Sequence, residues 1–177
     1  MVKKSFIIVL AAAGLISRAN VVLADDKADI KALYQKFAAC IKSKDADGIL
    51  KLGTPDFTMG DAKGTPSPAS KAVEGLKKQL AMFKAVDSCT ADVTEFKVKG
   101  KAAETKATIK MALSLDLGKD MPVSKVERNS ETADKIVKTN EGWKFKSITA
   151  MKVELSVNGA KVDPKVLQNN PMMKKKQ

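Results

Sequence analysis

Asp45, Asp47, Asp56 and Asp61 fall within one stretch, KDADGILKLGTPDFTMGD. Clustered carboxylates are common general acids and bases, so the segment invites a catalytic reading. Local signals absorb three of the four. Asp45 sits where a helix N-cap belongs, Asp47 is a first-turn acid favoured by the helix dipole, and Asp56 leads into a strand after Pro55. Asp61 alone keeps a chemical role, and the glycines of MGDAKG suit an aspartate that forms a turn. The wider inventory narrows the chemistry further. The chain has no histidine, which removes histidine triads, histidine general bases and most zinc sites. It has no Gly-rich phosphate loop, paired-cysteine metal motif or nucleophile elbow, so the sequence implies no metal and no cofactor.

A second group of polar residues lies on a strand. In SKVERNSETADKI, alternation puts Val126, Arg128, Ser130, Thr132, Asp134 and Ile136 on one face. Lys125, Glu127, Asn129, Glu131 and Lys135 occupy the other, which is plainly wet. If the first face points inward, Arg128 and Asp134 need partners, because unpaired buried charge is costly. The result would be a pocket with a cation, an acid and two hydroxyls, suited to a polar ligand. The alternative is a strand at the sheet rim with both faces solvated. Tyr34 would bury its ring and require a polar partner for its hydroxyl. Trp143 and Phe145 read first as core, with Trp143 also a candidate against a ligand. Cys40 and Cys89 could form a disulfide in an exported protein, although Cys40 equally suits a small buried hydrophobe.

Three predicted helices and a set of strands must position these groups. Ile30, Leu33, Tyr34, Phe37, Ala38 and Ile41 recur at a 3.6-residue period, predicting an amphipathic helix over 26–44. DADGILKLG is a short second helix, DFTM a short strand, and GDAKGTPSPAS a turn-rich loop. Ser70 can cap a third helix, KAVEGLKKQLAMFKAV. Beyond Val86 the period becomes two. Ala103, Ala107, Ile109, Met111, Leu113 and Leu115 alternate with Glu104, Lys106, Lys110 and Ser114, predicting a sheet with one wet face. The order is α+β, with three N-terminal helices packed on a curved, mostly antiparallel sheet.

The ends of the chain carry separate information. MVKK followed by FIIVLAAAGLI and VLA reads as an export signal over 1–24, cleaved before Asp25. The apolar run is shorter than the ~20 residues a bilayer span requires. The product would be periplasmic or secreted, with no membrane association after cleavage. One domain is expected over 25–157, followed by a polar, basic tail over 158–177 that frays. The net charge of +12 is spread along strand faces, which points to a solvated lysine surface rather than nucleic-acid binding.

LYQKFAACIKSKD, DADGILKLGTPDF and DKIVKTNEGWKF, in that order, resemble the NTF2-like superfamily, and more narrowly its SnoaL-like and DUF4440-type branch. The resemblance covers about 26–157 and implies a cystatin-like cone, a strongly bent sheet wrapped on helices with a cavity at its open end. The superfamily includes ketosteroid isomerases and polyketide cyclases as well as binding and dimerisation modules, so fold alone does not fix function. Comparison with the isomerases places the general-base aspartate on Asp61 and the oxyanion-hole aspartate on Asp134. Their tyrosine donor falls on Phe37, which has no hydroxyl, while Tyr34 lies one turn earlier. A donor aimed at the oxyanion is usually a large catalytic contribution, so its displacement weighs against catalysis.

The reading that follows is an exported, non-catalytic protein binding a small molecule in its cone, with Tyr34, Phe37, Arg128, Asp134 and Trp143 against the ligand. One alternative is a homodimeric assembly module. Another is an isomerase or lyase that uses Asp61 and Asp134.

Overall fold

The stripe of Ile30, Leu33, Tyr34, Phe37, Ala38 and Ile41 is the buried face of a long helix, α1 (Gly14–Lys42). The computed structural model describes residues 14–61, 63–115 and 123–163, with side chains from Asp25 onward. The first part of the expected export signal (1–13) and most of the expected tail (164–177) lie outside the described residues. Among the described residues, no helix is long and apolar enough to cross a membrane.

Lys44, at φ 58°, turns the chain out of α1 and into α2 (Ala46–Lys51). The Asp45 carboxylate caps α2 by accepting from Gly48 N at 2.8 Å, as its position predicts. Gly48 allows the two helices to close on one another, because a Cβ there would lie 2.9 Å from Cys40 Sγ. Strands β1 (Gly53–Asp61) and β2 (Ser67–Pro68) precede α3 (Ala69–Met82). Four long strands follow: β3 (Phe83–Lys99), β4 (Ala102–Leu115), β5 (Ser124–Thr139) and β6 (Gly142–Val157).

The sheet order is β2-β1-β6-β5-β4-β3. Every pairing is antiparallel except β1 with β6. Register shifts interrupt β3–β4 at three places and β5–β6 at two, each between residues where one strand carries an extra residue. Such bulges bend strands and raise local twist, which curves the sheet around α1. Inside lie Tyr34, Phe37, Phe57 and Phe145. The Phe145 ring contacts the other three at centroid distances of 5.1, 5.8 and 6.0 Å. Phe145 is fully buried, so truncation to alanine would cost about 3–5 kcal/mol.

Three local expectations require correction. The third helix stops at Met82 rather than Val86, and Phe83 already pairs with Leu115 as strand. Lys44 Nζ, donating to the Phe83 carbonyl at 2.6 Å, pins that junction. The helix begins after Pro68, with no side-chain cap from Ser70. The domain also extends past Val157. Asn158 (φ 49°) and Gly159 (φ 82°) make a tight turn into β7 (Ala160–Val162), which pairs back on β6. Asn-Gly with both residues at positive φ is the favoured two-residue hairpin turn.

Candidate functional site

β5 turns its polar face inward. Ser124, Val126, Ser130, Thr132, Asp134 and Ile136 are buried, Arg128 is half-buried, and the intervening residues are exposed or half-buried. The inward alternative therefore holds, and the rim alternative does not. α1 lies opposite this face, so Tyr34 and Asp134, a hundred residues apart in the chain, meet.

The Tyr34 hydroxyl donates to Asp134 Oδ2 in a short hydrogen bond. A phenol has one proton, so Thr105, with its Oγ1 2.7 Å from the same hydroxyl, is the donor in that second contact. Thr132 Oγ1 also donates to Asp134 Oδ2, at 2.7 Å. The backbone N–H of Thr149 donates to Oδ1 at 3.2 Å. Thr149 sits on β6 between the two register shifts of the β5–β6 ladder, where its amide can turn toward a neighbouring side chain. Every donor around Asp134 is neutral, and the residue is only 2% exposed. Burial consequently pushes the Asp134 carboxyl up to about 6, against the opposing pull of the Tyr34, Thr132 and Thr149 hydrogen bonds. Burial, followed by the charge of Asp134, moves the Tyr34 hydroxyl upward as well.

Arg128 stands six residues from Asp134 on the same face, about 20 Å along an extended strand. Its Nε donates to Ser130 Oγ at 3.1 Å. Among the described residues no carboxylate pairs with it. Burial lowers its affinity for a proton.

The other candidates lie elsewhere. Asp61 is exposed at the end of β1, and its Oδ1 accepts from the Lys63 and Gly64 amides at 2.9 and 2.6 Å. It forms the turn that its neighbours suggested and is not brought to Asp134. Phe37 packs in the core against Phe145. Trp143 is not beside Tyr34 and Asp134; it is buried at the β5–β6 turn, where its Nε1 donates to Asp26 Oδ1 at 3.1 Å. Lys138 Nζ donates to the same oxygen at 2.6 Å and lies 5.7 Å from the Trp143 ring centre. The Lys138 hydrogen bond holds the Asp26 carboxyl below its ordinary range, outweighing the effect of burial. Asp26 escaped the sequence reading, since an acid near a helix start is ordinarily solvated. Cys40 and Cys89 are both free thiols, so the disulfide open to them in the sequence is not formed. Among the described residues, no group of three or more Cys, Asp or Glu side chains could hold a metal.

The outer face of the sheet is different in kind. A groove of about 340 Å³ runs between Glu95, Lys97, Glu104, Lys106 and Lys135, with Lys106 paired to Glu95 at 2.8 Å. It lies behind Asp134 rather than in front of its side chain.

No protein-family model matches the sequence, and no curated protein is similar to it in sequence. Solved structures are similar in fold. The Kfla4162 protein of Kribbella flavida superposes with a TM-score of 0.60 at 19% identity, over 73% of this chain and 91% of that one. An NTF2-like superfamily protein of Salmonella enterica serovar Typhimurium gives 0.57 at 15% identity, over 72% and 91%. An NTF2-like protein with a cystatin-like fold from Novosphingobium aromaticivorans gives 0.51 at 14%, over 80% and 91%. With its helices, bulged sheet and strand order, the chain has the NTF2-like, cystatin-like α+β fold.

Proposed function

We propose that this is an exported protein that binds a small molecule in its cone without transforming it. The observation that carries this reading is the inner face of β5. It aligns Arg128, Ser130, Thr132 and Asp134 where a purely structural core would need only apolar residues. Export is supported by the signal-like sequence of residues 1–24, and the compartment that this reading implies is the periplasm or the cell exterior.

The Tyr34–Asp134 hydrogen bond favours a second, catalytic reading as an isomerase or lyase. Three observations weigh against it. Tyr34 is 0% exposed, Asp134 Oδ2 already accepts from two hydroxyls, and Asp61 is an exposed turn residue whose Oδ1 accepts from the Lys63 and Gly64 amides. The mixed charges of the outer groove would suit a polar homodimer interface, which is the alternative reading as an assembly module.

Native mass spectrometry of protein purified from the cell that exports it tests the binding reading. Retention of a small molecule at one copy per chain is the expected result. An empty dimer would shift the function to assembly. Turnover of a cyclic ketone that Asp134→Asn abolishes would establish catalysis instead.

A further inference from the structure

Arg128 occupies the centre of an otherwise largely apolar patch. Directly across from it on the same inward face are Met111 of β4 and Leu155 of β6. The next row toward the strand start is Leu113, Val126 and Val157, and the row on the other side contributes Ser130. Met111, Leu113 and Val126 are buried, whereas Leu155 and Val157 on β6 are half-exposed, so the patch is open on one side. Among the described residues, the guanidinium donates only through its Nε–H, to Ser130. Its two terminal nitrogens form a planar fork that no carboxylate among the described residues fills. A cation held in apolar surroundings without a counter-charge is costly, and a planar carboxylate is the group that matches this fork with two parallel hydrogen bonds.

We infer that Arg128 is an anion-recognition residue, and that the molecule bound in the cone is a carboxylate with an aliphatic body lying along Leu155 and Val157, on the half-exposed side of the patch. This rests on the reading of the cone as a binding site. It adds the head-group chemistry and the end of β5 at which the ligand sits. The Asp134 end, closed by protein hydroxyls, takes no part in holding the charged group.

The experiment compares sodium octanoate with 1-octanol, which shares the chain and lacks the charge. Binding to the full chain as the cell processes it is followed by calorimetry at pH 7.5. About 0.15 M salt is present to screen the surface lysines. Octanoate is expected to bind at least tenfold more tightly than octanol. Arg128→Gln should erase that preference while leaving octanol binding unchanged, Arg128→Lys should restore part of it, and Lys135→Gln on the outer face should have no effect. Equal affinities of the wild type for the two probes would overturn the anion site while leaving the cone as a binding site. So would a preference that survives Arg128→Gln. Absence of binding by either probe would remove both readings. The wild-type comparison decides the matter even if the glutamine variant fails to fold.

Discussion

Asp26 and Asp134 are buried to nearly the same degree, at 4% and 2% exposure, yet their carboxyls are pushed in opposite directions. Asp26 accepts from an ammonium and an indole, and the cation holds it ionised. Asp134 accepts from a phenol, a hydroxyl and an amide, all neutral, and burial dominates. Burial is the largest influence on Asp134, whereas at Asp26 the Lys138 hydrogen bond outweighs it. The two sites accordingly do different work. Asp26 ties α1 to the β5–β6 turn, while Asp134 seals one end of the cone.

The largest test of this contrast removes the cation. Lys138→Met should destabilise the protein, because it leaves the Asp26 carboxylate without its cation. The shift in urea midpoint would measure this, and a midpoint within error of wild type would mean that Lys138 does not support Asp26. Opposite pH slopes are the next test. Asp134, with its folded pKa raised, favours the folded state at low pH, and that contribution is lost as pH rises from the ordinary carboxylate range through about 6. A shift of this size corresponds to a contribution on the order of 3 kcal/mol at most. Asp26, with its folded pKa lowered, contributes stability above its unfolded value and loses it as pH falls through the folded one. The stability of wild type relative to Asp134→Asn, whose amide mimics the neutral carboxyl, should therefore fall from pH 4 to 6 as the wild-type carboxyl ionises. The stability difference for Asp26→Asn should shrink only on further acidification. Parallel slopes would abolish the distinction.

Tyr34→Phe removes one neutral donor and should cost about 1–3 kcal/mol. It should also raise the Asp134 titration further, because the lost hydrogen bond favoured the ionised form. Carboxyl-carbon NMR can follow that titration directly. The smallest effect belongs to Asp61→Ala, about 0.5–1 kcal/mol from an exposed turn. Ligand binding by that variant should equal wild type, and a loss would return Asp61 to the site.

Much of this arrangement could be read from periodicity. The helical stripe put Tyr34 inward, strand alternation put Arg128 and Asp134 on one face, and the DADG pattern gave the Asp45 cap. Which inward residues touch could not be read, because the meeting of Tyr34 with Asp134 depends on which strand lies under α1. The amide of Thr149 depends on bulges that change no residue type. Asp26 was hidden for a related reason, since Lys138 and Trp143 reach it only after β5 and β6 fold back on one another. Phe83 and Val86 continued the helical pattern of α3, and their strand pairing with Leu115 and Leu113 overrode it. The Asn158–Gly159 turn carried a residue-type signal that the reading of 158–177 as a fraying tail passed over, and β7 follows from it.

Trp143 is the chain's only tryptophan, and its indole N–H rests on an ionised carboxylate with an ammonium near the ring. Intrinsic fluorescence therefore comes from a single, electrostatically biased position rather than an average over the molecule. Its emission reports whether the start of the predicted mature chain is docked on the sheet. A shift that precedes the loss of secondary structure during unfolding would show the N-terminal segment detaching while the cone is still intact.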